Sequence, residues 1–136
     1  MAHGCSIGAY HAVNIATRHP GRFRKVVALS GRYDLTRPAG GFRDLFGGYY
    51  DQDIYFHTPT HFLQALNDSN RLEELRRLDI TVAVGEHDPF CDSTRELSRI
   101  LHEKAVPHRL SIWQGEAHKP YYWRQMTRLY LNGRYA

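Results

Sequence analysis

Segments whose apolar residues recur at helical spacing alternate along this chain with short runs rich in β-branched and aliphatic residues. That alternation predicts βα units, and so an α/β domain in three layers, helices on both faces of a short, mostly parallel sheet. Three strands are predicted, at Lys25–Ser30 (KVVALS), Ile80–Gly85 (ITVAVG) and Arg109–Gln114 (RLSIWQ). The first two are near-continuous apolar runs, as in strands buried on both faces; the third alternates, which suits an edge.

Helices fall between the strands. Ile7 to Arg18 carries Ile7, Tyr10, Val13 and an Ala/Ile stripe, and stops before Pro20-Gly21. Asn70 with Glu73 forms a candidate cap for a short helix whose Leu72, Leu75 and Leu78 recur every third residue. Ser93-Thr94-Arg95-Glu96 has the form of a capping box, with Leu97, Ile100 and Leu101 as the buried face that follows. Pro120 suits the first turn of a last helix running through Trp123, Met126 and Leu129.

Residues 31–58 show no sustained period. They contain Gly40-Gly41 and Gly47-Gly48 together with Tyr49, Tyr50, Tyr55 and Phe56. This stretch reads as a long ordered excursion over one end of the sheet, and such loops are commonly functional or mobile. Its aromatic residues either line an apolar pocket or pack the loop onto the domain.

Composition narrows the class. With 136 residues, 42% hydrophobic and 24% charged, the chain suits one domain, residues 1–136, with a core large enough to need no metal or disulfide. No apolar run approaches the length of a membrane span and no leader pattern opens the chain, so the expected compartment is the cytoplasm. Cys5 and Cys91 are too few and too far apart for a zinc site, although one bridge between them stays open. The net charge of +4 comes from scattered residues, the tightest groups being 22–25 and Arg76-Arg77, and no nucleic-acid motif accompanies them.

The strongest chemical signal is Gly4-Cys5-Ser6-Ile7-Gly8, a G-x-S-x-G pentapeptide directly before a helical pattern. In a nucleophile elbow the serine sits on a strained strand-to-helix turn, and flanking glycines remove side chains that would clash there. The amide of Ile7 would then be one oxyanion-hole donor. Serine needs a histidine to take its proton and a carboxylate to orient that histidine. Gly85-Glu86-His87-Asp88-Pro89 follows one predicted strand, and Gly115-Glu116-Ala117-His118 follows the next. Both lie at carboxyl strand ends, where open α/β sheets place their sites. Asp88 is therefore the expected acid and His118 the expected base. Glu86 and Asp92 compete with Asp88; His3, His11, His87, His102 and His108 compete with His118.

Gly4 to Ala12, Arg18-His19-Pro20 and the strand ending Ala28-Leu29-Ser30-Gly31 resemble the esterase families of the α/β-hydrolase superfamily. Tyr33-Asp34 and the stretch from Tyr49-Tyr50-Asp51 to Tyr55-Phe56 are similar to one bacterial branch of them. The resemblance covers nearly the whole chain. It implies a serine hydrolase of carboxylic esters, with short acyl chains favoured, working without a metal or organic cofactor, and Ser6, Asp88 and His118 match nucleophile, acid and base by motif.

Members of that superfamily carry several strands before the elbow, whereas only three residues precede Gly4. The chain thus looks like the C-terminal half of an α/β-hydrolase, and the loop that supplies a second oxyanion amide would belong to the other half. KVVALS would then present an unpaired edge, and the first helix would cover less sheet than its apolar face expects. Exposed edges of this kind pair or aggregate, so a homo-oligomer, a dimer, is expected. Two alternatives to ester hydrolysis stay open: a half-domain that acts through self-association, and acyl transfer or thioester hydrolysis with the same three residues.

Overall fold

Four short strands, β1 (Ala2–Cys5), β2 (Lys25–Leu29), β3 (Asp79–Gly85) and β4 (Arg109–Trp113), form one parallel sheet in the order β1-β2-β3-β4. The structure is a computed structural model, and it describes residues 1–132. Each strand lies beside its predecessor, so right-handed crossovers place every connecting helix on the same face. That face carries α1 (Ile7–Arg18), α3 (Pro59–Ala65), α4 (Ser69–Arg76) and α5 (Cys91–Glu103). The chain leaves β4 through α6 (Pro120–Leu131), which packs on the opposite face. The three-layer α/β arrangement read from the sequence is therefore present, with an all-parallel sheet.

The burial pattern explains why β2 is continuously apolar. Val26 and Ala28 point into a core with Ala9, Ala12, Val13 and Ala16 of α1, Leu63, Leu75 and the α5 residues Leu97, Ile100 and Leu101. Val27 and Leu29 point the other way, onto Met126 and Tyr130 of α6. At about 25 cal/mol per Å², each fully buried aliphatic side chain contributes roughly 1.5–3 kcal/mol, so this strand is a principal anchor of both layers.

Several local expectations are corrected. KVVALS is not an edge: β1 pairs along it, from Ala2 with Val26 to Cys5 with Leu29, and it is β1 that ends the sheet. Four residues suffice for this pairing because α1 packs its small alanines directly against β1 and β2. The α1 face is only partly covered, with Ile7 and Ile15 exposed. Ser93 does not cap α5, which begins two residues earlier; its Oγ accepts from the Tyr33 amide at 2.8 Å, and Glu96 pairs with Arg99. A tertiary acceptor role outcompetes the local capping box. Asp68, rather than Asn70, caps α4 by accepting from Arg71 N at 3.1 Å. The excursion is not wholly irregular. It contains a tight turn at Ala39–Phe42 and a short helix, α2 (Gln52–Phe56), capped by Asp51, whose carboxylate accepts from Ile54 N at 2.8 Å. Both cysteines are free. Among the described residues, no helix is long and apolar enough to cross a membrane.

Candidate active site

The carboxyl edge of the sheet carries Ser6, Asp88 and His118, each just beyond a strand end. β1 ends at Cys5, and Ser6 turns the chain into α1 with φ 56° and ψ −121°. A non-glycine residue there is strained by about 1–3 kcal/mol, and the surroundings must impose it. Ser6 N donates to Leu29 O at 2.9 Å, while Ser6 O accepts from Ala9 N at 3.0 Å. The serine is thus pinned to β2 on one side and to the helix start on the other. Its hydroxyl does not cap the helix, and its side chain is only half-buried. Ser30 (φ 55°) after β2 and Ala117 (φ 54°) before His118 repeat the left-handed backbone at the same edge. Strain of this kind concentrates at functional sites.

The two motif glycines are not equivalent. A Cβ on Gly4 would stand 2.1 Å from Gly8 O, so the elbow closes only over a glycine at that position. A Cβ on Gly8 meets nothing within 4 Å, which corrects the expectation that both glycines relieve clashes. Gly4→Ala is accordingly expected to lower the melting temperature by several degrees, since the neighbour to be displaced is backbone. Gly8→Ala should leave it unchanged or raise it slightly, alanine being worth up to about 1 kcal/mol over glycine within a helix. Thermal melts followed by circular dichroism compare the two, and equal losses would refute the assignment.

Asp88 and His118 are brought together directly. His118 Nδ1 lies 2.8 Å from Asp88 Oδ2, within reach for an N–H at that nitrogen to donate to the carboxylate. The Asp88 side chain is fully buried and that of His118 is 22% exposed, so the imidazole is held from inside and reachable from outside. Asp88 Oδ1 accepts from Phe90 N at 2.8 Å, fixing the carboxylate plane. The loops carrying the pair are tied by backbone: Glu86 N donates to Trp113 O at 2.8 Å and His87 N to Gly115 O at 2.9 Å. Gly85 permits this approach, because a Cβ there would stand 1.9 Å from Glu116 O.

The imidazole also has aromatic walls. Phe90 meets it edge-on at 5.6 Å between ring centroids, and Trp123 does so at 5.1 Å. Trp123 Nε1 donates to Ser30 Oγ at 3.0 Å, which ties α6 to the end of β2 across 93 residues of sequence. Beneath this edge Tyr33 is completely buried, and its hydroxyl has no hydrogen-bond partner among the described residues. Burial, with the Asp88 charge added, pushes that phenol well above its ordinary range. Burial likewise raises the Cys5 thiol, keeping it from the thiolate form that would make it a nucleophile beside Ser6.

The competing residues have other occupations. Glu86 Oε1 accepts from Gly115 N at 3.3 Å and faces the exposed His87; Asp92 is exposed at the start of α5. His108 contacts Ser98 Oγ at 2.7 Å, and His3 bridges Val27 O and Thr127 Oγ1. His11 stands edge-on to Tyr10, and His102 is exposed on α5. Ser6 shares the edge with the Asp88–His118 pair, but no hydrogen bond joins its hydroxyl to the imidazole among the described residues.

Sequence reasoning missed the second His–Asp contact, His61 Nε2 to Asp34 Oδ2 at 3.1 Å, with Tyr50 OH on the other imidazole nitrogen at 2.8 Å. It also missed Phe90 and Ser30 as neighbours of the site. No local signal marks them, since their adjacency arises only when separate strand ends converge. No group of three or more His, Cys, Asp or Glu among the described residues is placed to hold a metal ion.

A parallel sheet whose carboxyl edge carries a strained serine before a helix, and an aspartate–histidine pair on the following strand ends, is the framework of an α/β-hydrolase. The chain belongs to the esterase family described as "Putative esterase", whose model matches residues 1–127. Among solved structures it is similar to a ferulic acid esterase, with a TM-score of 0.73 and 22% identity, over 95% of this chain and 47% of that one. FphF, a fluorophosphonate-binding serine hydrolase of Staphylococcus aureus, matches with a TM-score of 0.73 and 20% identity, over 96% of this chain and 52% of its own. Carboxyl esterase 2 of the fungus Tuber melanosporum matches with a TM-score of 0.58 and 14% identity, over 93% and 50% of the two chains. The chain thus spans about half the length of these structures. A search of the curated proteins returned no match.

Proposed function

We propose that this chain carries the nucleophile, acid and base of a serine esterase that hydrolyses small carboxylic esters through an acyl-enzyme. The observation that supports the reading most is the 2.8 Å contact between the buried Asp88 carboxylate and His118, at the same sheet edge as the strained Ser6. With Nδ1–H donated to Asp88, His118 keeps Nε2 as the free acceptor that a general base requires. His118 takes the proton of Ser6 as its Oγ attacks the ester carbonyl. The Ile7 amide, at the first turn of α1 where backbone N–H groups have no intrahelical acceptor, faces the developing oxyanion. His118 then hands the proton to the departing alkoxide, and later deprotonates the water that releases the acid. No step calls for a metal or organic cofactor. The Ile7 amide is one oxyanion donor, and loss of such a donor typically costs about a hundred- to thousandfold in turnover.

The test is reaction with a fluorophosphonate probe followed by peptide mapping, beside hydrolysis of p-nitrophenyl acetate and butyrate. Label on Ser6 and turnover that depends on it support the reading; label elsewhere, or turnover indifferent to Ser6, refutes it.

Among the described residues β1 ends the sheet with an open outer edge, flanked by exposed Met1 and Ile7. Unpaired edges recruit another strand, and two copies related by a two-fold axis would join their β1 edges antiparallel. Light scattering after size exclusion is expected to give twice the 15.8 kDa chain mass, and a clean monomer at micromolar concentration would sink the dimer.

A further inference from the structure

Beyond the buried Tyr33, the excursion reaches the loop carrying Asp88 through a turn. Its turn at residues 39–42 is closed by Ala39 N donating to Phe42 O at 2.8 Å and Phe42 N to Ala39 O at 2.9 Å, with Gly40 at φ 57°. That turn is pressed onto the loop carrying Asp88: a Cβ on Gly40 would stand 2.7 Å from Pro89 Cβ, and the Phe42 ring lies 5.2 Å from that of Phe90. Both shoulders of the turn are gripped by the buried Arg32, whose Nη2 donates to Arg37 O at 2.6 Å and Arg43 O at 2.8 Å. Its guanidinium also stands 6.0 Å from the Phe90 ring centre. Asp44, next in sequence, accepts from the amides of Phe46 and Gly48, which hold its carboxyl below the usual range and fix the chain beyond the turn.

Despite this anchoring, Phe42 is 52% exposed. Tyr50 and Phe56, also exposed, make their ring contacts with His61 and Tyr55 instead. A half-exposed phenyl on a fixed turn, one ring removed from His118, is an apolar contact surface whose backbone needs no ordering to meet a ligand.

We infer that Phe42 selects the alcohol half of the ester, favouring flat apolar groups such as a benzyl. The inference rests on the esterase reading above and extends it to substrate class. Once Ser6 Oγ has added to the acyl carbon, the tetrahedral oxyanion collapses, the ester C–O bond breaks and the alkoxide leaves with its electron pair. The proton taken from Ser6 passes from His118 Nε2 to that oxygen. The departing oxygen must therefore lie at the imidazole, and the group it carries extends past the buried Phe90 to the exposed Phe42.

Hydrolysis of benzyl acetate, methyl acetate and methyl butyrate by the wild type and Phe42→Ala tests this. The kcat/KM for benzyl acetate should fall about tenfold, the two methyl esters changing less than twofold, as loss of an aromatic contact implies. Melting curves establish that the variant is folded. A second readout needs no turnover: benzyl alcohol is titrated into 15N-labelled Ser6→Ala, with and without Phe42→Ala. Shifts should appear at amides 40–43 and 88–90 and at the Trp123 indole, and weaken when Phe42 is removed. Equal losses on benzyl and methyl esters, or shifts indifferent to Phe42, would overturn the inference. Turnover indifferent to Ser6 would overturn the esterase reading instead, while the titration would still decide whether Phe42 binds a flat apolar group.

Discussion

Ser6→Ala is expected to lower kcat for p-nitrophenyl acetate by at least about a thousandfold, with folding intact. Loss of the nucleophile removes the covalent route, and in a unit of three cooperating residues removing one costs nearly as much as removing all. The fold should tolerate the change, because the hydroxyl makes no cap to α1 and the backbone bonds of Ser6 to Leu29 and Ala9 do not involve the side chain. Alanine at φ 56° bears backbone strain like that of serine. Steady-state kinetics on proteins matched by circular dichroism and oligomeric state make the comparison. Equal slow rates in both would assign the turnover to surface histidines and remove Ser6 from the chemistry.

Gly85→Ala should have the second-largest effect and act on stability and activity together. The added carbon would stand 1.9 Å from Glu116 O and 2.6 Å from Gly115 O, both backbone atoms, so no side-chain rotation relieves it. The segment 115–118 must move away from the end of β3, which draws His118 from Asp88. Overpacking of this type costs about 1–3 kcal/mol, equivalent to a fall of roughly 4–10 °C for a domain of this size. The low-field proton resonance of the His118 Nδ1–H should weaken or vanish, and kcat should drop much further than the small stability loss explains. Unchanged melting and an unchanged resonance would show that the strand end yields without disturbing the pair.

The sequence-level reading succeeded where a local rule coincided with a global demand. The apolar run of β2 announces a strand buried on both faces, and the structure divides Val26 and Ala28 from Val27 and Leu29 accordingly. It failed where tertiary partners intervened. Ser93 and Glu96 have capping-box spacing, but the Ser93 hydroxyl is claimed by Tyr33, and no local pattern encodes a bond across 60 residues. β1 escaped notice because a four-residue strand holding Gly4 has too little pattern to read; only its pairing with β2 makes it one.

The sequence alone determined the α/β class, the three longer strands, the α1 and α6 helices and the family resemblance. These follow from periodicity and from glycine and proline positions, which act within a few residues. The tertiary structure decided which carboxylate meets which histidine, and how Phe90 comes to stand against the imidazole with Phe42 one ring beyond it. Those outcomes depend on distances between strand ends 30 to 90 residues apart in sequence, which only the closed sheet brings within a few ångströms.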